Sequence, residues 1–292
     1  MAAPLLLFAL ALASADTTVR LPRNGAIEIA SRMRDVVVRT GSTDLVTVRG
    51  GSAALDGGTL QISGDDRRSR ASGAIEVTVP MWAHVDASSV AGNLTFTGAP
   101  DRLHAETVNG FIHVSGGNGA VELESVAGSI VISDFRGTTL SIDATGGPVT
   151  VTNATGTINV DNVNGNVTLR GIRSDHVTAS TINGWVEFEG PFAVAGRYDF
   201  SSQNGDATLI LPGDVSARMK ISTMNGQLIS PQIPATTNGT QDANAPSRGT
   251  TKTNAKRHGD DGEHTFTVVY GAGAAQVTID VFSGNVIVKQ KL

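Results

Sequence analysis

Four carboxylates recur at one position of successive units in this 292-residue chain: Glu106, Glu124, Asp143 and Asp161, each four residues before a glycine. If the units stack, these groups form a column about 4.8 Å apart, one strand spacing. Like charges so placed repel unless something bridges them. A divalent cation, which takes several oxygen ligands, would bridge them, and so would a basic partner. The alternative is a solvated acidic face with the side chains splayed apart. His104 and Glu122 lie beside the column, six residues before their glycines.

A second group comprises Phe111, His113, Trp185, Glu187 and Glu189, which strand alternation places on outward faces. Exposed aromatics beside polar groups suit a sugar-binding surface. Phe111 and Trp185 are four units apart, roughly 19 Å by strand spacing, so they form no single small pocket. Aromatics covered by another part of the chain fit the pattern equally well. Glu187 and Glu189 would share a face about 7 Å apart, a separation that inverting glycosidases use, but any E-x-E on a strand does the same. The chain has no G-x-S-x-G elbow, no H-E-x-x-H, no P-loop and no cysteine, so no catalytic residue and no cofactor is assigned. His258 and His264 flank Asp260, Asp261 and Glu263 in a polar segment suited only to adventitious metal affinity. Asn-x-Thr sites at Asn93, Asn153, Asn166 and Asn238 matter only in a host that N-glycosylates.

Nine glycines in one phase position these residues: Gly92, Gly110, Gly128, Gly147, Gly165, Gly184, Gly205, Gly226 and Gly284. The first seven gaps are 18, 18, 19, 18, 19, 21 and 21 residues, a period that marks stacked supersecondary units. Apolar side chains fall seven and five residues before each glycine and two and four after it, with a small residue three before. Leu103, Ala105, Thr107, Gly110, Ile112 and Val114 make one such unit. Period two means strands with one buried face. The glycine is expected to turn the chain between two strands with a positive φ. Asn109, Asn164, Asn183, Asn204 and Asn225 precede it as Asn-Gly turn pairs. Antiparallel hairpins and a β-solenoid both fit. Hairpins tolerate any residue at equivalent positions, whereas a solenoid stacks like on like. The Asn row, the Ser/Thr row three before the glycine and the Val/Ile row two before it favour the solenoid. The expected fold is an all-β, single-stranded parallel β-solenoid of about nine coils of 18–21 residues, with an N-terminal β cap.

Residues 1–15 read as a secretory signal peptide: an apolar run from Leu5 to Ala13, then Ala13-Ser14-Ala15 as the cleavage site, with the mature chain starting at Asp16. Without cysteine, an exported chain is held by its core and ladders alone. The formal charge of −5 is mild, and no basic block suggests nucleic acid. No later segment is long and apolar enough to span a membrane. Residues 16–82 alternate but leave the template and read as the cap, with residues 65–70 an exposed loop. Residues 83–230 hold the solenoid repeats. Residues 231–263, rich in Pro, Thr, Asn and Gly, read as a flexible insertion, and 264–292 as the final coil.

The segments Thr107-Val108-Asn109-Gly110, Ser125-Val126-Ala127-Gly128, Thr181-Ile182-Asn183-Gly184 and Thr223-Met224-Asn225-Gly226 resemble the repeats of the bacterial DUF4097 family. The Gly271-Ala272-Gly273 step leading to Phe282-Ser283-Gly284-Asn285-Val286 resembles that family's closing repeat. The resemblance covers most of the mature chain. It implies a secreted or cell-envelope β-strand-repeat protein with an adhesin label and no catalytic residues to carry over. The expected function is therefore a non-enzymatic adhesin or envelope scaffold, secreted, periplasmic or at the cell surface. Its partner would be an envelope or extracellular protein or a glycan. The competing expectation is a carbohydrate-binding or carbohydrate-cleaving β-helix.

Overall fold

The computed structural model describes residues 16–23, 25–64, 73–229, 236–239 and 264–291, with backbone alone at 236–239 and 264. The expected signal peptide, the loop at 65–70 and most of the segment at 231–263 lie outside the described residues. Every regular element described is a strand. The chain divides into two compact units, residues 1–128 and 129–292.

The N-terminal unit holds β1 (Thr17–Arg20), β2 (Ala26–Ser31), β3 (Val36–Gly41), β4 (Leu45–Arg49), β5 (Ser52–Asp56) and β6 (Thr59–Ser63). It continues with β7 (Ile75–Pro80), β8 (His84–Ser89), β9 (Leu94–Ala99), β10 (Arg102–Asn109), β11 (Ile112–Gly117) and β12 (Ala120–Ala127). Strands preceding the glycine of each coil form a leading sheet in the order β5-β6-β2-β8-β10-β12. Those following it form a trailing sheet in the order β1-β4-β7-β3-β9-β11. Coil-to-coil pairs such as β8/β10 and β9/β11 are parallel, while β1, β4 and β5 add antiparallel edges. Antiparallel pairing at an end replaces an open parallel edge.

The C-terminal unit holds β13 (Ile130–Ser133), β14 (Thr139–Gly146), β15 (Val149–Thr152), β16 (Thr157–Asn164), β17 (Val167–Arg170), β18 (His176–Asn183) and β19 (Val186–Glu189). After these come β20 (Arg197–Asn204), β21 (Ala207–Leu211), β22 (Ala217–Thr223), β23 (Leu228–Ile229), β24 (Thr236–Gly239), β25 (His264–Tyr270), β26 (Ala275–Ser283) and β27 (Val286–Gln290). The leading sheet runs β14-β16-β18-β20-β26-β22-β25-β24 and the trailing sheet β13-β15-β17-β19-β21-β27-β23. In both units the architecture is the expected parallel β-solenoid, two sheets not closed into a barrel.

The coils do not stack in chain order. The coil β2/β3 lies between β6/β7 and β8/β9, and the last coil, β26/β27, lies between β20/β21 and β22/β23. Each terminal coil is thereby paired on both sides, so its ladder groups are satisfied and its core face is covered. The first coil is hard to see in the sequence because Arg34 stands where later coils have glycine. Its carbonyl occupies the place that the Gly92 carbonyl takes one coil on.

Inward columns form the core. In the C-terminal unit Leu140, Ile158, Val177, Tyr198, Val277 and Met219 are register partners across six strands, and all are buried. Aromatics gather in the coils where small partners leave room: the rings of Phe188 and Phe200 lie 5.1 Å apart, and those of Phe192 and Tyr198 4.5 Å.

The structure bears out the expected positive φ for part of the glycine row and shows a second cause for it. Gly147, Gly165, Gly205 and Gly284 have positive φ (103°, 156°, 153° and 153°), whereas Gly92, Gly110, Gly128, Gly184 and Gly226 do not. A Cβ on any of the glycines from Gly110 to Gly226, apart from Gly147, or on Gly284 would strike the glycine carbonyl of the adjoining coil. The backbone packs too closely there for any side chain. The Ser/Thr row serves the same contact: Thr181 Oγ1 donates to the Gly165 carbonyl and Ser202 Oγ to that of Gly184, both at 2.9 Å. Asn109, Asn164, Asn183 and Asn204 end their strands at the corner where the chain passes to the next one, and three of them also form a ladder between coils. Asn183 Nδ2 donates to Asn164 Oδ1 at 2.8 Å, and Asn204 Nδ2 to Asn183 Oδ1 at 3.0 Å. Left-handed backbone also sits at the other corner, at Asp134, Asn153 and Gly171 (φ 55°, 55° and 65°), each followed by a buried residue: Phe135, Ala154 and Ile172.

Candidate functional site

The leading sheet of the N-terminal unit carries the densest set of titratable side chains that point outward. Register places Glu28, Asp86, His104 and Glu122 in one row across β2, β8, β10 and β12. The neighbouring row contains Ser88, Glu106 and Glu124. Glu106 and Glu124 are thus adjacent, as their shared position implies. The tightest convergence runs diagonally: His104, Glu122 and Glu124 each offer a ligand atom within 4.8 Å of the others. His104 Nδ1 lies 3.7 Å from Glu122 Oε2 and has no hydrogen-bond partner. An imidazole with two carboxylates is a donor set that divalent ions accept.

In the C-terminal unit Asp143 and Asp161 are register partners, and the next residue in the row is Ser180, whose Oγ donates to Asp161 Oδ1 at 2.5 Å. The column read from the sequence thus comprises two adjacent pairs, Glu106 with Glu124 and Asp143 with Asp161, one in each unit.

Phe111 and Trp185 fall not on the trailing strands, as expected, but one residue before them, ahead of β11 in the N-terminal unit and β19 in the C-terminal unit, and are 43% and 38% exposed. Each is fixed by the coil before it, where Asn93 Oδ1 accepts from the Phe111 N–H and Asn166 Oδ1 from the Trp185 N–H, both at 3.1 Å. His113 is half-buried opposite Thr95. Glu187 and Glu189 take separate cations: Arg170 at 2.8 Å and Lys291 at 2.5 Å.

Two residues with structural roles escaped the sequence reading. Arg34 donates to the carbonyls of Gly50, Gly64 and Gly73, tying the returns of the N-terminal unit together. A guanidinium-to-carbonyl role leaves no spacing signal. Tyr198 lies at a predicted core position, but its hydroxyl bridges a corner, accepting from the Ala193 N–H at 2.7 Å and donating to the Ser174 carbonyl at 2.5 Å. Burial raises its pKa, with the Asp175 charge adding, against a smaller opposite effect of the Ala193 N–H. A phenol pKa raised on folding contributes stability that is fully present below about pH 10 and is lost as pH rises through the folded value. Tyr198→Phe is therefore expected to lose about 1–2 kcal/mol at neutral pH and to show a shallower alkaline decline in urea melts.

These features define a class: a repeat protein whose parallel β-coils stack on a glycine row. A family model described as Toastrack DUF4097 matches residues 24–265, and the chain belongs to that family. Among solved structures, a candidate cell adhesion protein from Clostridium sporogenes aligns at 11% identity and a TM-score of 0.25, covering 95% of this chain and 99% of that one. A candidate lipid binding protein from Parabacteroides distasonis aligns at 12% identity and a TM-score of 0.42, covering 68% and 90%. Neither likeness bears on function at these scores. No curated protein matches the chain. Among the described residues no helix is long and apolar enough to cross a membrane.

Proposed function

We propose that this protein is an exported, non-enzymatic interaction module, an adhesin or envelope scaffold that presents flat strand faces to a protein or glycan outside the cytoplasm. The observation that carries this reading is how the outward carboxylates are used. Glu187 and Glu189, the pair suited to glycoside hydrolysis, are each held by a cation of the same chain. Other outward carboxylates instead pair like with like on adjoining coils, as Glu106 with Glu124 and Asp143 with Asp161 do. Repeated rows meet a partner over a length of surface rather than holding one reacting atom. Export is supported by the apolar run and small-residue site in residues 1–15 and fits a chain without cysteine.

The test is a reducing-sugar assay on the chain starting at Asp16, against a panel of envelope polysaccharides. Release is expected to match a no-protein control. Turnover abolished by Glu187→Gln would make the protein a hydrolase instead. Sugar binding without turnover is the second reading, favoured by Trp185 standing exposed immediately before β19, the strand that carries Glu187. On a glycan array, saturable binding lost in Trp185→Ala would establish it.

A further inference from the structure

We propose that the outward face of the leading sheet in the N-terminal unit docks a cationic amphipathic helix of a partner protein. The inference rests on the interaction-module reading above and names the chemistry of the partner. It begins with the aliphatic residues two before each glycine. Val90, Val108 and Val126 are 51%, 42% and 52% exposed. The pairs Thr107↔Ser125 and Asn109↔Ala127 flank Val108 and set it beside Val126. Thr107 pairs with Ser89, and the Asn109 N–H donates to the Val90 carbonyl, which sets Val90 on the other side. Val108 on β10 and Val126 on β12, with Val90 just past the end of β8, thus form a contiguous apolar stripe facing water, a feature that marks contact surfaces.

Beside the stripe runs an acidic band. Glu106 and Glu124 stand two residues before Val108 and Val126, about 7 Å away along the strand. Behind them lie Glu28, Asp86 and Glu122, with His104 between the last two. Among the described residues no lysine or arginine pairs with Glu106 or Glu124. The face is complementary to apolar side chains flanked by positive charge. Anionic lipid headgroups would be repelled, and a second copy docking the same face would set acid against acid.

Spacing selects a helix over a strand. The valines repeat at about 4.8 Å, and a helix laid along them presents a side chain every turn, about 5.4 Å. The mismatch is about 1 Å over three coils. An extended strand presents same-face residues every 6.6–7 Å or so and slips out of phase by the second contact.

The test uses the full chain from Asp16 and a fluorescent peptide of leucine and lysine at helical spacing, with anisotropy as the readout. Saturable binding is expected, weakened about tenfold or more by Val108→Ser with Val126→Ser. Glu106→Gln with Glu124→Gln is expected to weaken it similarly and to flatten its salt dependence. Asp199→Asn with Asp280→Asn, the same charge change elsewhere, is expected to leave it unchanged. A peptide with leucine and lysine strictly alternating should bind more weakly. No binding, or binding indifferent to the valines, or equal loss in the Asp199/Asp280 control would overturn the proposal. So would displacement of the peptide by millimolar calcium with a rise in Tm, which would reassign the face to an ion. None of these results bears on turnover, so this inference can fail while the non-enzymatic reading stands.

Discussion

Gly110→Ala is expected to destabilise the N-terminal unit by about 2–4 kcal/mol, whereas Gly57→Ala in the same unit should cost about 1 kcal/mol. The two glycines separate two causes that usually travel together. Gly57 lies in the tight turn between β5 and β6 with φ +57°, and a Cβ there would meet nothing within 4 Å. Its alanine variant pays only for left-handed backbone, offset in part by the stiffer unfolded chain. Gly110 has no positive φ. A Cβ on it would stand 2.5 Å from the Gly92 carbonyl oxygen and 3.1 Å from the carbonyl carbon. Neither atom can yield without moving the bend between β8 and β9, where Gly92 itself abuts the Arg34 carbonyl of the coil on its other side. Urea melts of both variants, read by circular dichroism, give the comparison. A larger loss at Gly57 than at Gly110 would mean that the repeat glycines answer to dihedral preference after all.

That contrast explains what the sequence could and could not disclose. Position and period were legible because stacking makes every coil repeat the same contact, so the rows of Gly, Ser/Thr and Asn were all visible. Their causes were not. An Asn-Gly pair reads as a turn from local propensity, yet Asn164, Asn183 and Asn204 form a ladder between coils, a non-local arrangement that propensity does not encode. The second left-handed corner, at Asp134, Asn153 and Gly171, changes residue type from coil to coil and so shows no row. The coil β2/β3 was hidden for a related reason, since Arg34 replaces the marker glycine.

The candidate site was half legible. Counting from Gly110 and Gly128 gave Glu106 and Glu124 the same outward position, and register makes them neighbours. The diagonal approach of His104, Glu122 and Glu124 needed side-chain directions that a period does not supply. The stripe of Val90, Val108 and Val126 was visible as a row, but it supported the stacking argument rather than marking a surface. Alternation alone puts position −2 outward beside −4. The apolar residue type there conflicts with that placement, and such conflicts between pattern and position concentrate at functional surfaces.

Removing residues 275–292 is expected to abolish cooperative folding of the C-terminal unit, although the deletion takes only the end of the chain. Those residues build β26 and β27, which lie between β20/β21 and β22/β23. Val277, Ile279, Val281, Val286 and Val288 are all buried. At about 1.5–3 kcal/mol for each side chain the loss is on the order of 8–15 kcal/mol, comparable with the whole stability of a domain. The remaining chain has one route to recovery, the direct closure of β22 onto β20. Register permits it, since Tyr198 and Met219 both pair with Val277, and Phe200 and Ile221 both pair with Ile279. Paired cysteines report which arrangement exists, with no native cysteine to interfere. In the intact protein Ser201→Cys with Asp280→Cys should form a disulfide, because the two residues are register partners. Ser201→Cys with Ser222→Cys should not, because two strand spacings, about 9.6 Å, exceed disulfide reach. A Ser201–Ser222 crosslink in the intact chain would mean that the coils stack in chain order and that the last coil is an outer one. The same crosslink appearing only after the deletion would show the gap closing, and a cooperative melt of that variant would refute the expected loss. The inserted coil wins over the simpler order because an outermost β26/β27 would leave its ladder groups and apolar face open to water. In the observed order β22 is the outer strand of the leading sheet's parallel stack, and β25 covers its open edge by antiparallel pairing.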